Sequence, residues 1–253
     1  YTEITISDTT PSELYFQCTS HGYMGDAAYT SLGTTTADGT TGAYTITPEE
    51  LSDGAYALTV TATDTAGNIS AASSALNLTV DTIAPAKPTI ITTTTLTSDA
   101  TPTIEGTAEA DSTVTLLSSG VAIGTTTADG DGQFSITTST LADSNYALTV
   151  TATDEAGNIS AASSALNLTV DTIAPAKPSI TTATSLTNDS TPAIEGIAEA
   201  GSTVTLFVDG VTTGVTVTAD GTTGAYTIAP TAALDDGAYA LTVTATDEAG
   251  NIS

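Results

Sequence analysis

Residues 146–153 read YALTVTAT, and the same eight letters recur at 56–63 and at 239–246. Leu148, Val150 and Ala152 alternate with threonines along this segment. Alternation with a period of two and many β-branched residues predicts a strand with one buried face. No segment of the chain has a convincing helical period of 3.6 residues. The sequence therefore predicts an all-β protein.

A longer segment shows that the chain is built from repeats. Residues 66–88, AGNISAASSALNLTVDTIAPAKP, return unchanged at 156–178, and a third copy begins at Ala249. The period of about 90 residues is too long for a solenoid unit and suits a small, self-sufficient β-sandwich. We predict three tandem domains, the third truncated before its last strand, at 1–83, 84–173 and 174–253.

The second repeat resolves into about seven short predicted strands separated by turn residues such as Asp-Gly and Ser-Gly. They lie at 87–95, 103–109, 113–117, 121–127, 133–138, 146–153 and 165–170. Seven antiparallel strands in about 90 residues are typical of an immunoglobulin-like sandwich. The predicted fold is a linear array of tandem immunoglobulin-like antiparallel β-sandwiches.

One tyrosine opens the sixth strand of each repeat, at Tyr56, Tyr146 and Tyr239. The Cys pair and Trp of antibody domains are absent. The tyrosines occupy the position of the tyrosine corner, whose hydroxyl bonds to nearby backbone. We predict that corner here, with an ordinary strand tyrosine as the alternative.

Charge limits the possible partners. The chain has 29 acidic residues against 2 basic ones, a net charge of −27. Nucleic acid and anionic membrane surfaces require basic patches, so neither is expected as a partner. So large an excess repels itself unless salt or bound cations neutralise it. No run of 18 apolar residues exists, so no direct membrane insertion is expected.

Four segments carry a family resemblance: DTIAP at 81–85, TPTIEGTAEADSTVTL at 101–116, TADGDGQFSI at 127–136 and YALTVTATDEAGN at 146–158. Together they resemble bacterial Ig-like (BIg) repeats of large adhesins, including RTX and biofilm adhesins exported by type I secretion. The resemblance covers nearly everything from Leu32 onward. It implies an extracellular stalk on a bacterial surface that holds a terminal adhesive domain away from the cell, with the receptor bound by other domains. Many members of that family bind calcium between domains.

Acidic loops are expected to converge at each junction between repeats. In an up-and-down sandwich, alternate loops share one end, which the preceding linker also reaches. These loops supply only oxygen donors, and Ca²⁺ takes roughly six to eight oxygen ligands. We predict Ca²⁺ sites with candidate ligands Asp81, Glu109, Asp111, Asp129, Asp154 and Asn158 at the first junction, and Asp171, Glu199, Asp220, Asp247 and Asn251 at the second.

The alternative for each aspartate is an ordinary turn. Asp and Asn recur in turns because they accept hydrogen bonds from backbone amides and tolerate unusual φ values. A weaker second acidic group, Asp99, Asp143 and Asp171, is expected at the opposite end. The linker at 81–88 contains two prolines, which predict a short and stiff joint.

Residues 12–30 depart from the repeat and hold the only Cys, His and Met. Cys18 and His21 are three residues apart, whereas a catalytic dyad needs convergence from separate elements. The acidic residues sit in repeated loops, which argues against a glycosidase site. We therefore expect no enzymatic activity.

We hypothesise a structural extender of a surface fibre, rigidified by calcium. One alternative is a binding module that grips a glycan or protein through exposed loops or the Tyr-rich segment. Another is an accessory domain of a secreted polysaccharide enzyme.

Overall fold

The computed structural model describes residues 13–18, 30–183 and 186–253, with backbone alone for 13–18 and Thr30. In these ranges no helix is long and apolar enough to cross a lipid bilayer. The prediction about the divergent segment 12–30, including Cys18 and His21, concerns side chains outside the described residues. The chain divides into two compact units, Tyr1–Ala84 with Glu155–Asn158, and Pro85–Asp154 with Ile159–Ser253.

The described residues of the first unit form a four-stranded antiparallel sheet. Its order is β2-β1-β3-β4, formed by β1 (Glu13–Cys18), β2 (Thr30–Thr35), β3 (Gly54–Thr63) and β4 (Leu76–Val80). Tyr56, Leu58 and Val60 are buried along β3. The alternation in YALTVTAT therefore points its large side chains inward, as predicted.

The second unit begins with a complete sandwich, which we call the second repeat. A three-stranded sheet, β10-β7-β5, faces a five-stranded sheet, β6-β12-β11-β8-β9. The strands are β5 (Thr89–Ile90), β6 (Leu96–Thr97), β7 (Thr103–Thr107), β8 (Thr113–Ser118), β9 (Val121–Thr127), β10 (Gln133–Thr137), β11 (Ser144–Thr153) and β12 (Leu166–Val170). All pairs are antiparallel except β6 with β12. The predicted all-β sandwich is confirmed.

The first predicted strand of this repeat, 87–95, was wrong as a continuous element. The chain pairs with β7 through β5, and then crosses to the other sheet, where β6 lies parallel to β12. The crossing begins where the Ile91 and Thr92 amides both donate to the Glu105 carbonyl, at 2.9 and 3.4 Å. The Thr92 hydroxyl accepts the Glu105 amide at 2.8 Å, which ends the regular ladder.

The same plan returns in the second half of this unit, which we call the third repeat. Its sheets are β13-β14-β17 and β16-β15-β18. The strands are β13 (Ser179–Ile180), β14 (Ile194–Ile197), β15 (Thr203–Val208), β16 (Val211–Thr218), β17 (Ala225–Ile228) and β18 (Leu241–Thr246). β18 corresponds to β11 by sequence and by its pairing with the central strand.

The core of the second repeat lies between its two sheets. Leu148, Val150 and Ala152 are fully buried on β11, opposite Ile104 on β7. Burying a Leu, Val or Ile side chain stabilises the fold by about 1.5–3 kcal/mol. The predicted inward face of β11 is confirmed.

A glycine on the central strand of the smaller sheet lets its neighbours approach closely. A Cβ at Gly106 would collide with the Thr89 carbonyl oxygen and the Phe134 ring. In the third repeat, a Cβ at Gly196 would collide with the Ser179 carbonyl oxygen and the Tyr226 ring. Only glycine leaves room for an aromatic ring to lie over the strand at this point.

The tyrosine corner predicted for each repeat is confirmed. The hydroxyl of Tyr56 donates to the Ser52 carbonyl at 2.6 Å. The equivalent bonds run from Tyr146 to Ala142 at 2.8 Å and from Tyr239 to Asp235 at 3.2 Å. Each bond spans four residues and holds the loop that leads into the sixth strand.

Candidate functional site

The repeated Asp-Xaa-Ala-Gly-Asn loop closes on itself. After β18, the Asp247 carboxylate accepts the Asn251 amide at 2.8 Å, and the Asp247 amide donates to the Asn251 carbonyl at 3.1 Å. Gly250 has φ 96°, a conformation that favours glycine over residues with a Cβ. The copy at Asp64 and Asn68 makes the same two bonds, at 2.8 and 3.0 Å.

The asparagine side chain reaches beyond its own loop. In the second unit, the Asn251 Nδ2 group donates to Asp247 Oδ2 at 2.9 Å and to the Asp171 carbonyl at 2.7 Å. Asp171 directly follows β12, so this amide joins the loop after β18 to the linker that follows the second repeat. Within the first unit, Asn158 Nδ2 donates to the Asp81 carbonyl at 3.0 Å. An amide with two N–H donors suits a position that must bind a carboxylate and a carbonyl together.

The linker is also tied to the repeat that precedes it. The Asp143 carboxylate accepts the Thr172 amide at 3.0 Å and the Thr172 hydroxyl at 2.8 Å. In the first unit, Asp53 holds Thr82 by the same pair of bonds, at 3.0 and 2.9 Å. Pro175 further along the linker is buried. Hydrogen bonds on both sides therefore restrain the second linker, in addition to its proline geometry.

At the second junction, the structure brings Asp171, Asp247 and Asn251 together by hydrogen bonds. The other two predicted ligands lie in turns of their own. Asp220 Oδ1 accepts the Thr222 and Thr223 amides at 3.0 and 2.7 Å. Glu199 is exposed, and its carbonyl accepts the Ser202 hydroxyl at 2.7 Å.

The residues predicted for the first junction also lie mostly in turns. Asp81 Oδ1 accepts the Ile83 amide at 3.0 Å, and Asp129 Oδ1 accepts the Gln133 amide at 2.7 Å. Glu109 and Asp111 are exposed, and Asp111 has φ 62°. Asp154 directly follows β11 and opens the loop that ends at Asn158.

Among the described residues, no group of three or more His, Cys, Asp or Glu side chains is placed to hold a metal ion. Ca²⁺ takes roughly six to eight oxygens, whereas several of these carboxylates accept hydrogen bonds inside their own loops. The side chains as placed do not fit a preassembled calcium site. Calcium binding stays a prediction, and none of the contacts above depends on it.

The alternative interpretation of the aspartates as turn residues is confirmed for Asp64, Asp129, Asp220 and Asp247. The second, weaker acidic group predicted at the opposite end, Asp99, Asp143 and Asp171, has members with different roles. Asp99 accepts the Thr101 amide at 2.7 Å in its own turn, and Asp143 holds the linker.

Hydrogen bonding shifts the acidity of the loop carboxylates. The Asn68 side chain, followed by its backbone amide, holds the pKa of Asp64 below its ordinary value. Burial alone would raise the pKa of Asp247, but the Asn251 side chain and the loop amides lower it overall. Both groups are therefore ionised at neutral pH and act as acceptors only.

Two serines in the identical segment have a role that the sequence interpretation missed. The Ser160 hydroxyl accepts the Ala152 amide at 2.9 Å, and the Ser163 hydroxyl accepts the Val150 amide at 3.0 Å. Their own amides donate back to the same two residues at 2.9 and 2.8 Å. The pair continues the ladder along β11 where no strand forms. The sequence does contain a signal for this role, because two serines three residues apart recur at Ser70 and Ser73 and make the same bonds.

Several solved structures are similar to this chain at low sequence identity and low TM-score. The Clostridium thermocellum CbhA fibronectin(III)-like modules share 19% identity over 67% of this chain and 84% of that chain, with a TM-score of 0.41. A biofilm associated protein BSP domain shares 18% identity over 79% of this chain and 41% of that chain, with a TM-score of 0.26. A two-domain fibronectin type-III segment of chicken tenascin shares 15% identity, with a TM-score of 0.25, and covers 67% of this chain and 94% of that chain.

None of the curated proteins matches the sequence. The family model described as bacterial Ig-like domain matches three successive segments, residues 24–82, 89–172 and 176–253. These segments span most of the chain and include the tyrosine corners and the Asp-Xaa-Ala-Gly-Asn loops. The chain therefore belongs to the bacterial Ig-like domain family.

Proposed function

We propose that the chain is a structural, non-catalytic extender segment of a bacterial cell-surface adhesin or fibre. Its domains act as spacers in series, and neighbouring repeats of the same chain are their partners. Membership of the bacterial Ig-like family and three tandem matches support this proposal. A receptor is bound by other domains of the same protein, which the spacer holds away from the cell.

The observation that carries the proposal is the two-sided restraint of the second linker. Thr172 is bound to Asp143 behind it, and the Asp171 carbonyl is bound to Asn251 ahead of it. Relative motion is the default expectation for domains joined by a flexible linker. A spacer benefits from suppressing that motion, because a stiff series of domains stays extended whereas a flexible one coils.

The proposal includes calcium as the ion that rigidifies the domain junctions. A chain of net charge −27 gains from a divalent cation that screens or bridges carboxylates at a junction. Extracellular fluid supplies calcium, in keeping with a surface location and with export by a type I system as in RTX adhesins. The hydrogen bonds of the linker remain its restraint when calcium is absent.

The experiment measures the distance distribution across the second junction. Spin labels are placed on Ser135→Cys and Thr227→Cys, both exposed, in a Cys18→Ser background. We expect a narrow distribution for the parent chain and a broader one for Asn251→Ala, because the bond to Asp171 is lost. Asn167→Ala, on the exposed face of β12, is the matched control and should stay narrow. A parent distribution as broad as that of Asn251→Ala would refute the stiff spacer.

A further inference from the structure

The outer face of the larger sheet in the second repeat carries rows of threonines. Its central strand β8 lies between β11 and β9, and cross-strand partners match threonine with threonine. The register pairs Thr113 with Thr153 and Thr127, and Thr115 with Thr151 and Thr125. We call these six residues the threonine face. Val114 and Leu116 alternate with them and are fully buried, so the threonines point away from the core.

The third repeat has the same face on β15 and its neighbours. The register pairs Thr203 with Thr246 and Thr218, and Thr205 with Thr244 and Thr216. Two rows of three threonines therefore occur in each repeat of the second unit. Adjacent strands lie about 4.8 Å apart, and residues two apart along a strand are separated by about 6.7 Å.

The threonine face has no charge in a strongly acidic chain. The strands β8, β9 and β11, and likewise β15, β16 and β18, contain no Asp, Glu, Lys or Arg. The opposite sheets differ, because Glu105 on β7 and Glu195 on β14 are exposed. The acidic residues of these two repeats otherwise lie in loops and the linker.

The hydroxyl groups of the face are available to a partner. On the opposite sheet, threonine hydroxyls satisfy one another, Thr89 with Thr107 at 2.6 Å and Thr103 with Thr137 at 3.0 Å. Within the described part of the chain, no side-chain hydrogen bond involves any of the twelve threonines of the two faces. Each presents a donor, an acceptor and a methyl group to the outside.

We propose that the threonine face is a self-association surface whose occupant is the threonine face of a second copy of this chain. A hydroxyl array is self-complementary, since every group both donates and accepts, and a two-fold axis places like on like. Docking here buries no charge, so it avoids the cost of desolvating carboxylates. This goes beyond the extender role, because a spacer functions whether or not its copies pair.

The size of the face predicts weak pairing that adds up along a fibre. Three strands of five residues cover roughly 250 Å² per repeat, well below the roughly 800 Å² per partner of a stable complex. Half-buried Leu117 and Phe207 extend the central strand of each face with apolar surface. A single chain should therefore pair weakly, and longer arrays should pair more tightly where several faces engage at once.

Sedimentation equilibrium of the 253-residue chain tests the proposal at about 0.1 M and about 1 M salt, where the screening length falls from about 10 to about 3 Å. We expect reversible dimers that strengthen with salt, because screening weakens the repulsion between two chains of net charge −27. Thr115→Lys with Thr205→Lys should weaken pairing at least about tenfold, since a buried unpaired charge is costly. Ser135→Lys with Thr227→Lys, exposed on the opposite sheets, makes the same change in net charge and should pair at least as well as the parent.

Circular dichroism melting checks that each variant is folded, and Thr125→Lys with Thr216→Lys on the outer strands provides a second face variant. A parent chain that stays monomeric at every salt and protein concentration tested would overturn the proposal. This holds even if the face then proves to bind a neutral polysaccharide. Equal pairing by the face variants and the opposite-sheet variant would overturn it as well.

Discussion

At the scale of single residues, this fold is held by side chains that replace missing covalent staples. A domain of about 90 residues lies near the lower limit for a stable single core, and the chain has one cysteine. The tyrosine corner, the loop Asp-Asn pair and the serine pair each bind backbone groups that irregular segments leave unpaired. All three features belong to the repeat itself, so every added domain brings its own set.

The tyrosine corner makes a testable contribution to stability. Tyr146→Phe removes the bond to the Ala142 carbonyl and should destabilise the second repeat by about 1 kcal/mol in urea unfolding. Tyr44→Phe is the control, because the Tyr44 hydroxyl is buried and has no hydrogen-bond partner among the described residues. That change should be neutral or stabilising. Equal losses for both variants would show that the corner bond adds nothing.

The loop carboxylates predict the response of the junction to acid. The folded pKa of Asp247 lies below its ordinary value of 3.8, so its ionised form is favoured by folding. The contribution of Asp247 to folding stability is complete at pH values above its ordinary pKa. It is lost as the pH falls through the lowered pKa of the folded state. The Asn251 amide resonance should therefore titrate with a midpoint below 3.8, and Asp247→Asn should abolish this titration. A midpoint at or above 3.8 would contradict the loop bonds.

At the scale of elements, alternation along the strands was sufficient to predict most of the fold. The burial of Leu148, Val150 and Ala152 follows directly from the period of two. The split of the first strand did not follow, because the crossing to the other sheet depends on hydrogen bonds to Glu105 from a neighbouring strand. Threonine propensity is the same on both sides of that crossing, so no local signal marks it.

The structure brings together three of the five residues predicted for the second junction, and their assignment as metal ligands stays a prediction. Topology assigns loops to an end of a sandwich, which identified Asp171, Asp247 and Asn251 as neighbours. It does not place atoms within hydrogen-bond distance, and so it did not anticipate that the contact is an amide to a backbone carbonyl. Local turn bonds hold other carboxylates, such as Asp220.

Glycine on β7 makes the packing of the smaller sheet testable. Gly106→Ala places a methyl group against the Thr89 carbonyl oxygen and the Phe134 ring, and backbone cannot yield as a flexible side chain does. We expect a loss of about 1–3 kcal/mol in urea unfolding. Gly130→Ala is the control, since nothing lies within 4 Å of the added carbon, and it should change stability by less than about 0.5 kcal/mol. A tolerated Gly106→Ala would mean that β5 and the Phe134 ring can shift away from β7.

At the scale of the whole molecule, the dominant quantity is the charge of −27. Among the described residues, loops and linkers carry nearly all of the acidic side chains, whereas the threonine strands carry none. Repulsion therefore acts mainly among loops and linkers and spares the threonine face. This division allows a chain to stiffen at its joints and still offer a neutral side to another chain.

Removal of calcium tests the remaining part of the extender proposal. If calcium bridges the junction carboxylates, it competes with turn hydrogen bonds for oxygens such as Asp220 Oδ1, and relief of repulsion favours its binding. Small-angle scattering should then show a longer maximum dimension in millimolar calcium than in chelator. Sodium chloride of matched ionic strength is the control, because screening alone acts through any salt. If sodium extends the chain as far as calcium does, or if neither changes its maximum dimension, calcium does not rigidify the junction.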